Sequence, residues 1–498
     1  MSPMTDRERV LTLLAGGRPD RVPWFGDLDY WATALIGRGQ RPGDFKASDA
    51  YIAWHRNLRV GFYLQGYFPF RTIIDEGHVA EWHEGTARRR RIETPRGTLT
   101  ETWTWLPESF AEAPTEHLVK TAADLPAYRW LFEHTRYEPD YAFAERRARQ
   151  VGDMGLVLCY LPKSPFMQLV ALDAGIAAVA EIAADRPEEL AETLAVVRAS
   201  HDQAARIALA SPAEVLMIPE NLSSEVVGPR FYELHMRDYH EHWCRQIAAA
   251  GKYSCVHLDG TLKGLLRQVA SAGFTFIEAM TPAPVGDLEV ERWASFCPDS
   301  PETVFWGGLP GVYFTDQVPE AEFERHTRAV LRVMASAPRY VLGVADQVPP
   351  DGLESRIRRV AELANKFGRY EEEALPIEFH GFEYDWFAKD SEGHYALFAT
   401  AGEGFMPEEV AANYGPHEAL GKSIDTPNLG TSYVWGDYAS KGLYVFDWDV
   451  PGGPYRKVVS PEAPIDQTLK NELEKIPNLP TFDGSFDRTT EVRRMRGR

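Results

Sequence analysis

Ionisable side chains gather at the end of one predicted strand in the middle of the chain. The segment Tyr253 to Asp259 has the alternation of a buried strand. Alternate residues of a strand point to the same side, so Cys255, His257 and Asp259 share one face. His257 and Asp259 lie nearest the carboxyl end of the strand. This placement makes His257 a candidate for general acid–base chemistry.

Two glutamates extend this group. Glu278 lies on the next predicted strand, and Glu220 directly follows an earlier one. Both could project toward the same end of the sheet as His257, where loss of water and mutual repulsion raise one carboxyl pKa and create a general acid or base. Each could instead be a structural partner of an arginine or a helix cap. Glu278 and Glu220 are therefore predicted catalytic residues with this alternative open.

The surrounding sequence predicts the elements that hold these residues. From about Leu156 onward, short apolar runs alternate with longer stretches of helical period, which favours βα units around a parallel sheet. Two weaker early runs raise the strand number to that of a (β/α)8 TIM barrel. The predicted strands are Arg21–Phe25, Arg59–Leu64, Leu156–Tyr160, Glu214–Pro219, Tyr253–Asp259, Thr275–Met280, Thr303–Gly307 and Arg339–Val344. The predicted helices include Pro187–Leu209, Arg230–Ala250, Leu262–Ala272, Glu320–Ala335 and Leu353–Phe367.

Two regions depart from this alternation. Residues 70–106 are predicted to form an antiparallel meander inserted in the barrel, with strands at Thr72–Trp82, Thr86–Glu93 and Thr98–Trp105. A boundary near residue 370 separates the barrel, residues 1–370, from a small α+β domain, residues 371–498.

The small domain contains an aromatic pair, Trp386 and Phe387, among acidic residues. The pair could form a contact surface for a protein partner. The alternative, which we favour, is a small strand-turn-strand core with its turn at Asp390–Gly393. Further strands are predicted at Ile377–Phe379, Tyr395–Ala399 and Leu443–Phe446.

Composition narrows the function classes. The net charge of -20 disfavours nucleic acid as a partner, and the run Arg88–Arg91 is interpreted as a solvated hairpin face. The polar start, the four cysteines without a paired framework and the absence of a bilayer-length apolar run predict a cytoplasmic protein that does not enter membranes. No Walker loop, GxSxG, HExxH or GxGxxG motif is present.

Several segments together resemble the uroporphyrinogen decarboxylase superfamily over about residues 5–370. These segments are Arg7–Trp24, His257–Val290, Phe305–Gly311 and Tyr340–Val360. The superfamily contains decarboxylases and corrinoid- or thiol-dependent methyltransferases. The resemblance implies a barrel whose active site opens at the carboxyl ends of the strands.

The resemblance also implies a metal site. In the methyltransferase branch, the segment matching His257 to Asp259 reads His-x-Cys, and a later Cys matches Asp346. Those three side chains hold zinc. Here the set is His257, Asp259 and Asp346, which suits zinc and also harder ions such as manganese or iron. The alternative is that His257 lines the barrel and Asp346 caps a helix.

Candidate substrate-binding residues lie where predicted strands end. They are Asp27, Asp29, Tyr30, Tyr160 and Gly308. The first three occupy the loop in which true uroporphyrinogen decarboxylases resemble one another by carrying paired arginines. Their absence disfavours a substrate with eight carboxylates. The loop containing Gly308 could offer N–H groups to an anion, although a plain tight turn is favoured.

The leading functional hypothesis is a metal-assisted transferase that moves a methyl or similar small group between a small-molecule substrate and a thiol or corrinoid-protein acceptor. The first alternative is a decarboxylase or related lyase acting on a small carboxylate or a tetrapyrrole. The second is a non-catalytic barrel that acts as a binding scaffold.

Overall fold

The computed structural model of the protein describes residues 4–63, 67–370, 383–402, 404–448 and 454–492. The chain divides into two compact units, Met1–Arg369 and Tyr370–Arg498. The predicted strand Ile377–Phe379 lies outside the described residues.

The strands of the first unit fall near their predicted positions. All eight predicted barrel strands have a counterpart, with shifted ends. The strands are β1 (Trp24–Phe25), β2 (Phe62–Tyr63), β3 (Phe70–Ile74), β4 (His78–Glu84), β5 (Ala87–Thr94), β6 (Gly97–Leu106), β7 (Ala111–Glu116), β8 (Thr135–Pro139), β9 (Gly155–Leu156), β10 (Leu158–Tyr160), β11 (Val215–Leu222), β12 (Tyr253–Leu258), β13 (Phe276–Met280), β14 (Val304–Pro310) and β15 (Tyr340–Ala345).

The helices follow the βα alternation. The predicted helix Arg230–Ala250 is divided at Met236, whose backbone departs from helical geometry. The helices are α1 (Asp6–Leu14), α2 (Asp29–Gly37), α3 (Asp49–Leu58), α4 (Leu125–Glu133), α5 (Ala142–Val151), α6 (Pro165–Gln168), α7 (Gly175–Asp185), α8 (Pro187–Leu209), α9 (Pro229–His235), α10 (Arg237–Ala249), α11 (Leu266–Ser271), α12 (Val290–Phe296), α13 (Glu320–Ala335) and α14 (Glu354–Phe367). A π-helix, Leu169–Asp173, follows α6.

A curled parallel sheet forms the centre of this unit. Among the described residues its order is β1-β15-β14-β13-β12-β11-β10. β2 pairs in parallel with β9, which directly precedes β10, and Phe25 of β1 forms a parallel bridge with Gly61 beside β2. This arrangement is consistent with a TIM-barrel-like fold. It brings the carboxyl ends of the strands together at one mouth.

Alternate side chains of these strands fill the interior. The indole of Trp306 on β14 lies at the centre of an aromatic group, with ring centroids 5.4 Å from Phe25, 5.1 Å from Phe276 and 4.9 Å from Tyr63. Trp306 is 1% exposed. Its packing therefore supports Tyr63, whose hydroxyl reaches the barrel mouth.

The inserted region differs from its prediction in two respects, since β7 lies beyond the predicted residues 70–106 and the first predicted strand is divided. The predicted strand Thr72–Trp82 is interrupted at Gly77, whose φ of 90° is a left-handed conformation that glycine adopts without strain. As a result β3 pairs antiparallel with β8, while β4 to β7 form a separate antiparallel sheet. The arginines Arg88–Arg91 of β5 form ion pairs with glutamates of that same sheet.

The second unit is a mixed sheet with helices. Its strands are β16 (Asp385–Asp390), β17 (Tyr395–Ala399), β18 (Tyr444–Asp447), β19 (Tyr455–Val459), β20 (Thr481–Phe482) and β21 (Glu491–Val492), in the order β20-β16-β17-β18-β19-β21. Its helices are α15 (Glu408–Ala412), α16 (Tyr414–Ser423), α17 (Val434–Ser440) and α18 (Gln467–Leu473).

The aromatic pair of this unit belongs to its core. Trp386 and Phe387 are fully buried in the clusters on opposite faces of the sheet. Asp390 closes the following turn, because its Oδ1 accepts hydrogen bonds from the N–H groups of Glu392 and His394. The contact-surface interpretation of Trp386 and Phe387 is therefore wrong, since buried rings cannot meet a partner.

No helix in the described part of the chain combines the length and apolar character needed to span a bilayer.

The position of Trp306 gives a stability prediction. Trp306→Ala should lower the free energy of unfolding by about 3–5 kcal/mol, because the buried cavity cannot be refilled. Trp82→Ala, at an indole 44% exposed on β4, is the matched control and should lose less than about 1 kcal/mol. Urea denaturation followed by circular dichroism measures both. Equal losses would contradict the central role of Trp306.

Candidate active site

A buried histidine–glutamate pair forms the centre of the site. His257 and Glu278 are direct neighbours in the parallel register of β12 and β13. The Nδ1–H of His257 donates to Oε2 of Glu278 at 2.8 Å. Glu278 has no exposed surface, and His257 is 8% exposed. The pairing fixes the ring and leaves Nε2 as the imidazole nitrogen that can act on another molecule.

Tyr63 completes the environment of this glutamate. It ends β2, and its hydroxyl donates to Oε1 of Glu278 at 2.9 Å. Burial and the nearby Glu278 carboxylate raise the pKa of Tyr63 well above its usual value, so the phenol stays protonated. Both oxygens of Glu278 thus accept a hydrogen bond in a dry environment.

The pair keeps the imidazole charged at neutral pH. Burial lowers the pKa of His257, but the Glu278 carboxylate outweighs burial through its charge and its hydrogen bond, with smaller contributions from Asp346 and Asp259. The resulting pKa is about 9. His257 is therefore an imidazolium, able to donate a proton from Nε2.

Two aspartates lie beside the exposed edge of this ring. Oδ1 of Asp346 is 3.7 Å from Nε2 of His257, and Asp346 has a left-handed φ of 66°. A non-glycine residue in this conformation marks a local constraint of the kind that clusters at functional sites. Burial raises the pKa of Asp346 and of Asp259, and nearby Glu278 adds to both shifts, while the His257 charge opposes them.

The predicted metal ligands are not assembled as a metal site in this structure. In the described residues, no group of three or more His, Cys, Asp or Glu side chains is arranged to hold an ion. The residue types of His257, Asp259 and Asp346 suit a divalent ion. Their spacing does not, because among the described residues the three side chains are not gathered closely enough to share one ion.

Asp27 belongs to the same acidic environment. It follows β1, is 5% exposed, and its Oδ1 accepts the N–H of Asp29 at 2.8 Å, while Oδ2 is buried without a hydrogen-bond partner among the described residues. Burial and the charges of Asp29, Glu278 and Asp346 raise the pKa of Asp27 well above its usual value. Asp29 itself forms an ion pair with Lys46 at 2.9 Å.

A pocket of about 230 Å³ opens between these loops and two helices. Asp27 and Tyr63 form part of its wall, and Lys46 and Arg147 add two cations. We call it the mouth pocket. Because Tyr63 also contacts Glu278, the pocket is joined to the His257–Glu278 pair through one side chain.

Arg147 is the most unusual group in this wall. Its side chain is fully buried on α5, and Nη2 donates to the carbonyl of Lys46. Nε and Nη1 are buried without a hydrogen-bond partner in the described part of the chain. The guanidinium lies over the rings of Phe143 and Phe62, at 5.1 and 5.4 Å. Burial lowers the pKa of Arg147 to about 10, so the charge persists at neutral pH.

The structure does not bring Glu220 to this group. Its Oε1 accepts hydrogen bonds from Nε2 of His240 on α10 at 2.7 Å and from the N–H of Ser164 at 2.9 Å. Met217 of β11 packs in the barrel interior, so Glu220, three residues further along the strand, faces the opposite side, toward α10. The prediction of Glu220 beside His257 is therefore wrong.

The remaining predicted substrate residues take separate positions. The Tyr30 hydroxyl donates to the carbonyl of Ser109. Tyr160 is half-buried and packs edge-on against Phe68. Gly308 lies within β14, not in a loop, and a Cβ there would come within 2.9 Å of Val330 on α13. Gly308 therefore faces the helix layer, and its role is close packing.

The sequence analysis missed three residues of the candidate site, namely Tyr63, Lys46 and Arg147. Tyr63 could have been found, because it lies near the carboxyl end of a predicted strand. Lys46 and Arg147 lie in helical segments far apart in sequence, and no spacing links them to His257.

These features define an α/β protein with a curled parallel sheet and acid–base groups at the strand ends. Residues 161–367 match the family model of uroporphyrinogen decarboxylase. This part of the chain is thus a domain of the uroporphyrinogen decarboxylase superfamily, as its sequence segments predicted.

Two further comparisons give no information about activity. A solved methyltransferase from Methanosarcina mazei is 12% identical, with a TM-score of 0.49, over 73% of this chain and 99% of its own. That similarity is too low to support an argument about activity. No curated protein matches the sequence significantly.

The His257–Glu278 pair gives a pH prediction. Glu278→Gln should lower the pKa of His257 from about 9 to below 6.5, because burial then acts without the opposing carboxylate. NMR titration of the His257 ring measures this shift. Glu289→Gln, at an exposed carboxylate that does not contribute to the His257 shift, is the control and should leave the pKa unchanged.

The same pair makes stability depend on pH. The folded-state pKa of His257, about 9, exceeds the ordinary value of 6.5, so its stabilising contribution is complete below about pH 6.5 and is lost as the pH rises through about 9. The Tm difference between wild type and His257→Gln should shrink over that interval. A constant difference would contradict the assigned charge.

Proposed function

We propose that the protein is a lyase of the uroporphyrinogen decarboxylase superfamily that decarboxylates a small carboxylate, with His257 as proton donor on a closed (β/α)8 barrel. The observation that carries the proposal is the buried His257–Glu278 pair, which holds an imidazolium at neutral pH and is linked through Tyr63 to a pocket with a buried cation. A protonated imidazole suits the protonation of a carbanion.

The proposed reaction step needs only the substrate, solvent and side chains of this protein. The bond between the substrate carbon and its carboxylate breaks, carbon dioxide leaves, and the electron pair stays on the carbon. Nε2–H of His257 then donates its proton to that carbon. Glu278 accepts a hydrogen bond from Nδ1 at 2.8 Å, and in this proposal it keeps that nitrogen protonated and the ring oriented. Solvent returns the lost proton before the next cycle.

The mouth pocket supports a small anionic substrate. No ion pair with Arg147 occurs among the described residues, and a buried guanidinium without a carboxylate leaves charge uncompensated. A substrate carboxylate would compensate it. The volume of about 230 Å³ favours a small acid over a tetrapyrrole.

Metal-assisted methyl transfer is the second candidate. The observation in its favour is the crowding of acidic groups around one imidazole, since burial and nearby carboxylates raise the pKa values of Asp27, Asp259 and Asp346. A divalent ion, namely zinc, manganese or iron, would offset that charge. A thiol or a corrinoid protein would be the acceptor. We derive no step through the ion, because the ligand spacing does not fit it.

Elemental analysis separates the two candidates. Near-stoichiometric metal in wild type that is lost in His257→Ala and Asp259→Ala would favour methyl transfer. Carbon dioxide release without bound metal would favour the lyase. Neither activity nor metal would favour the non-catalytic scaffold.

Partners and location are part of the proposal. We propose a cytoplasmic protein that acts without nucleic acid or membrane, in which the second unit binds a protein. Co-purification with the full chain, compared with a chain ending at Arg369, tests the role of the second unit. Unchanged co-purification would contradict that role.

The lyase proposal predicts the behaviour of His257 variants. A panel of carboxyl-labelled aromatic and 3-oxo acids, whose rings or carbonyl groups delocalise the electron pair, identifies a substrate by release of labelled carbon dioxide. His257→Gln should lower kcat by about 10²–10⁴-fold, because the proton donor is removed. His78→Gln, at an exposed histidine, should keep full activity. Comparable kcat values would exclude His257 as the donor.

Arg147 has a matched control in the adjacent residue. Arg147→Met should raise KM for that acid by about tenfold or more, because a charge-assisted contact to the carboxylate is lost. Arg146 also lies over Phe143, at 5.0 Å, but is exposed. Arg146→Met should therefore leave KM unchanged. A similar KM in both variants would argue against carboxylate binding by Arg147.

A further inference from the structure

A second cavity lies under the inserted region. It has a volume of about 350 Å³ and is bounded by β3, β8, α4, α8 and the loop that follows β10. We call it the insert cavity. It shares no lining residue with the mouth pocket among the described residues. Its volume is within the range of about 300–1,000 Å³ that small-molecule sites occupy.

The walls of this cavity are largely aromatic and aliphatic. Phe68, Phe70 and Phe132 contribute rings, and Ile74 and Leu131 contribute aliphatic surface. The rings hold one another edge-on or tilted, as Phe68 and Phe70 do at 5.4 Å. Such walls favour a flat apolar body that can stack or pack edge-on.

His201 supplies an unused hydrogen-bond acceptor. Its side chain is 4% exposed on α8, and its Nδ1–H donates to the carbonyl of Lys163 at 2.9 Å. Burial lowers the pKa of His201 to about 4, so the ring is neutral and Nε2 carries a lone pair. No described residue hydrogen-bonds to Nε2.

Asp173 supplies a second acceptor. It ends the π-helix Leu169–Asp173, a rare conformation that is frequent at functional sites. Its Oδ2 accepts the Tyr128 hydroxyl at 2.5 Å and Nε2 of Gln168 at 2.8 Å. Oδ1 has no hydrogen-bond partner among the described residues. The polar end of the cavity thus presents acceptors.

The cations that line the cavity are already engaged. Arg90 forms an ion pair with Glu101 at 2.6 Å, and Nζ of Lys163 donates to the carbonyl of Pro219. A ligand here would therefore meet unused hydrogen-bond acceptors, one of them a carboxylate, whereas the charge of Arg90 is already paired with that of Glu101. That arrangement selects a molecule that donates a hydrogen bond and disfavours an anion.

We propose that the insert cavity binds a flat aromatic molecule carrying a hydroxyl group, with the ring among Phe68, Phe70 and Phe132 and the hydroxyl donating to His201 or Asp173. This binding activity is separate from the proposed decarboxylation, because it uses other residues and needs no turnover.

Three probes of equal ring size test the chemistry. Isothermal titration of the full chain with 2-naphthol should show one site, with a Kd about tenfold or more below that for 2-methoxynaphthalene, which lacks the donor. 2-Naphthoate, an anion, should also bind more weakly. Equal affinity for 2-naphthol and 2-methoxynaphthalene, or no binding of 2-naphthol, would overturn the proposal.

Two variants locate the binding. His201→Phe keeps the ring volume but removes the acceptor, so 2-naphthol should bind no better than 2-methoxynaphthalene. Ile74→Trp should fill the cavity and abolish binding of both. Val79→Trp places the same side chain at an exposed position on β4 and should bind like wild type.

The second variant decides the location of binding even if the first variant does not fold. If thermal denaturation shows that His201→Phe is unfolded, Ile74→Trp still decides the location. Unchanged binding of 2-naphthol by folded Ile74→Trp would overturn the assignment to the insert cavity. A result that refutes the proposed decarboxylation would not affect this assignment, because the two proposals rest on different residues.

Discussion

The hydrogen-bonded pair of His257 and Glu278 is the interaction on which the site depends. Glu278 has no exposed surface, and an isolated buried carboxylate would be strongly unfavourable. It is accommodated because both oxygens accept hydrogen bonds, from His257 and Tyr63. Each donor comes from a different strand of the curled sheet. The pair can therefore form only when β2, β12 and β13 are assembled, which ties the chemistry of the site to the completed fold.

The same pair controls the charge of the neighbouring aspartates. One imidazolium balances one glutamate, and burial then disfavours further negative charge nearby. The pKa values of Asp27, Asp259 and Asp346 are accordingly raised. The chemistry of such carboxyl groups suits either proton exchange or the binding of a cation. This shared feature explains why decarboxylation and metal-assisted transfer both remain chemically reasonable for one set of residues, and why spacing has to discriminate between them.

Sequence reasoning found the strands and the His257–Glu278 centre because both follow from local rules. Strand alternation puts His257 on the inner face, and adjacency of β12 and β13 brings Glu278 opposite it. The placement of Glu220 failed because this rule was not applied to it. Its strand continues past Pro219 to Leu222, with a register shift and a positive φ of 53° at Asn221. The irregularity follows Glu220, so it did not turn this side chain. Met217 of the same strand lies in the barrel interior, and alternation from Met217 already directs Glu220 to the outer face. The sequence analysis placed Glu220 by its position at the strand end and did not consider which face it occupies.

Only part of the first unit matches the family model. The family match begins at residue 161, so His257, Glu278 and Asp346 lie within it, whereas Arg147 and Lys46 precede it. Arg147 comes from the long connection between β2 and β9, which also contributes β3 and β8 to the insert cavity. Loops on a rigid barrel can change ligand preference without moving the catalytic groups. Proton chemistry would then follow the superfamily part, and the choice of ligand would follow the sequence before it.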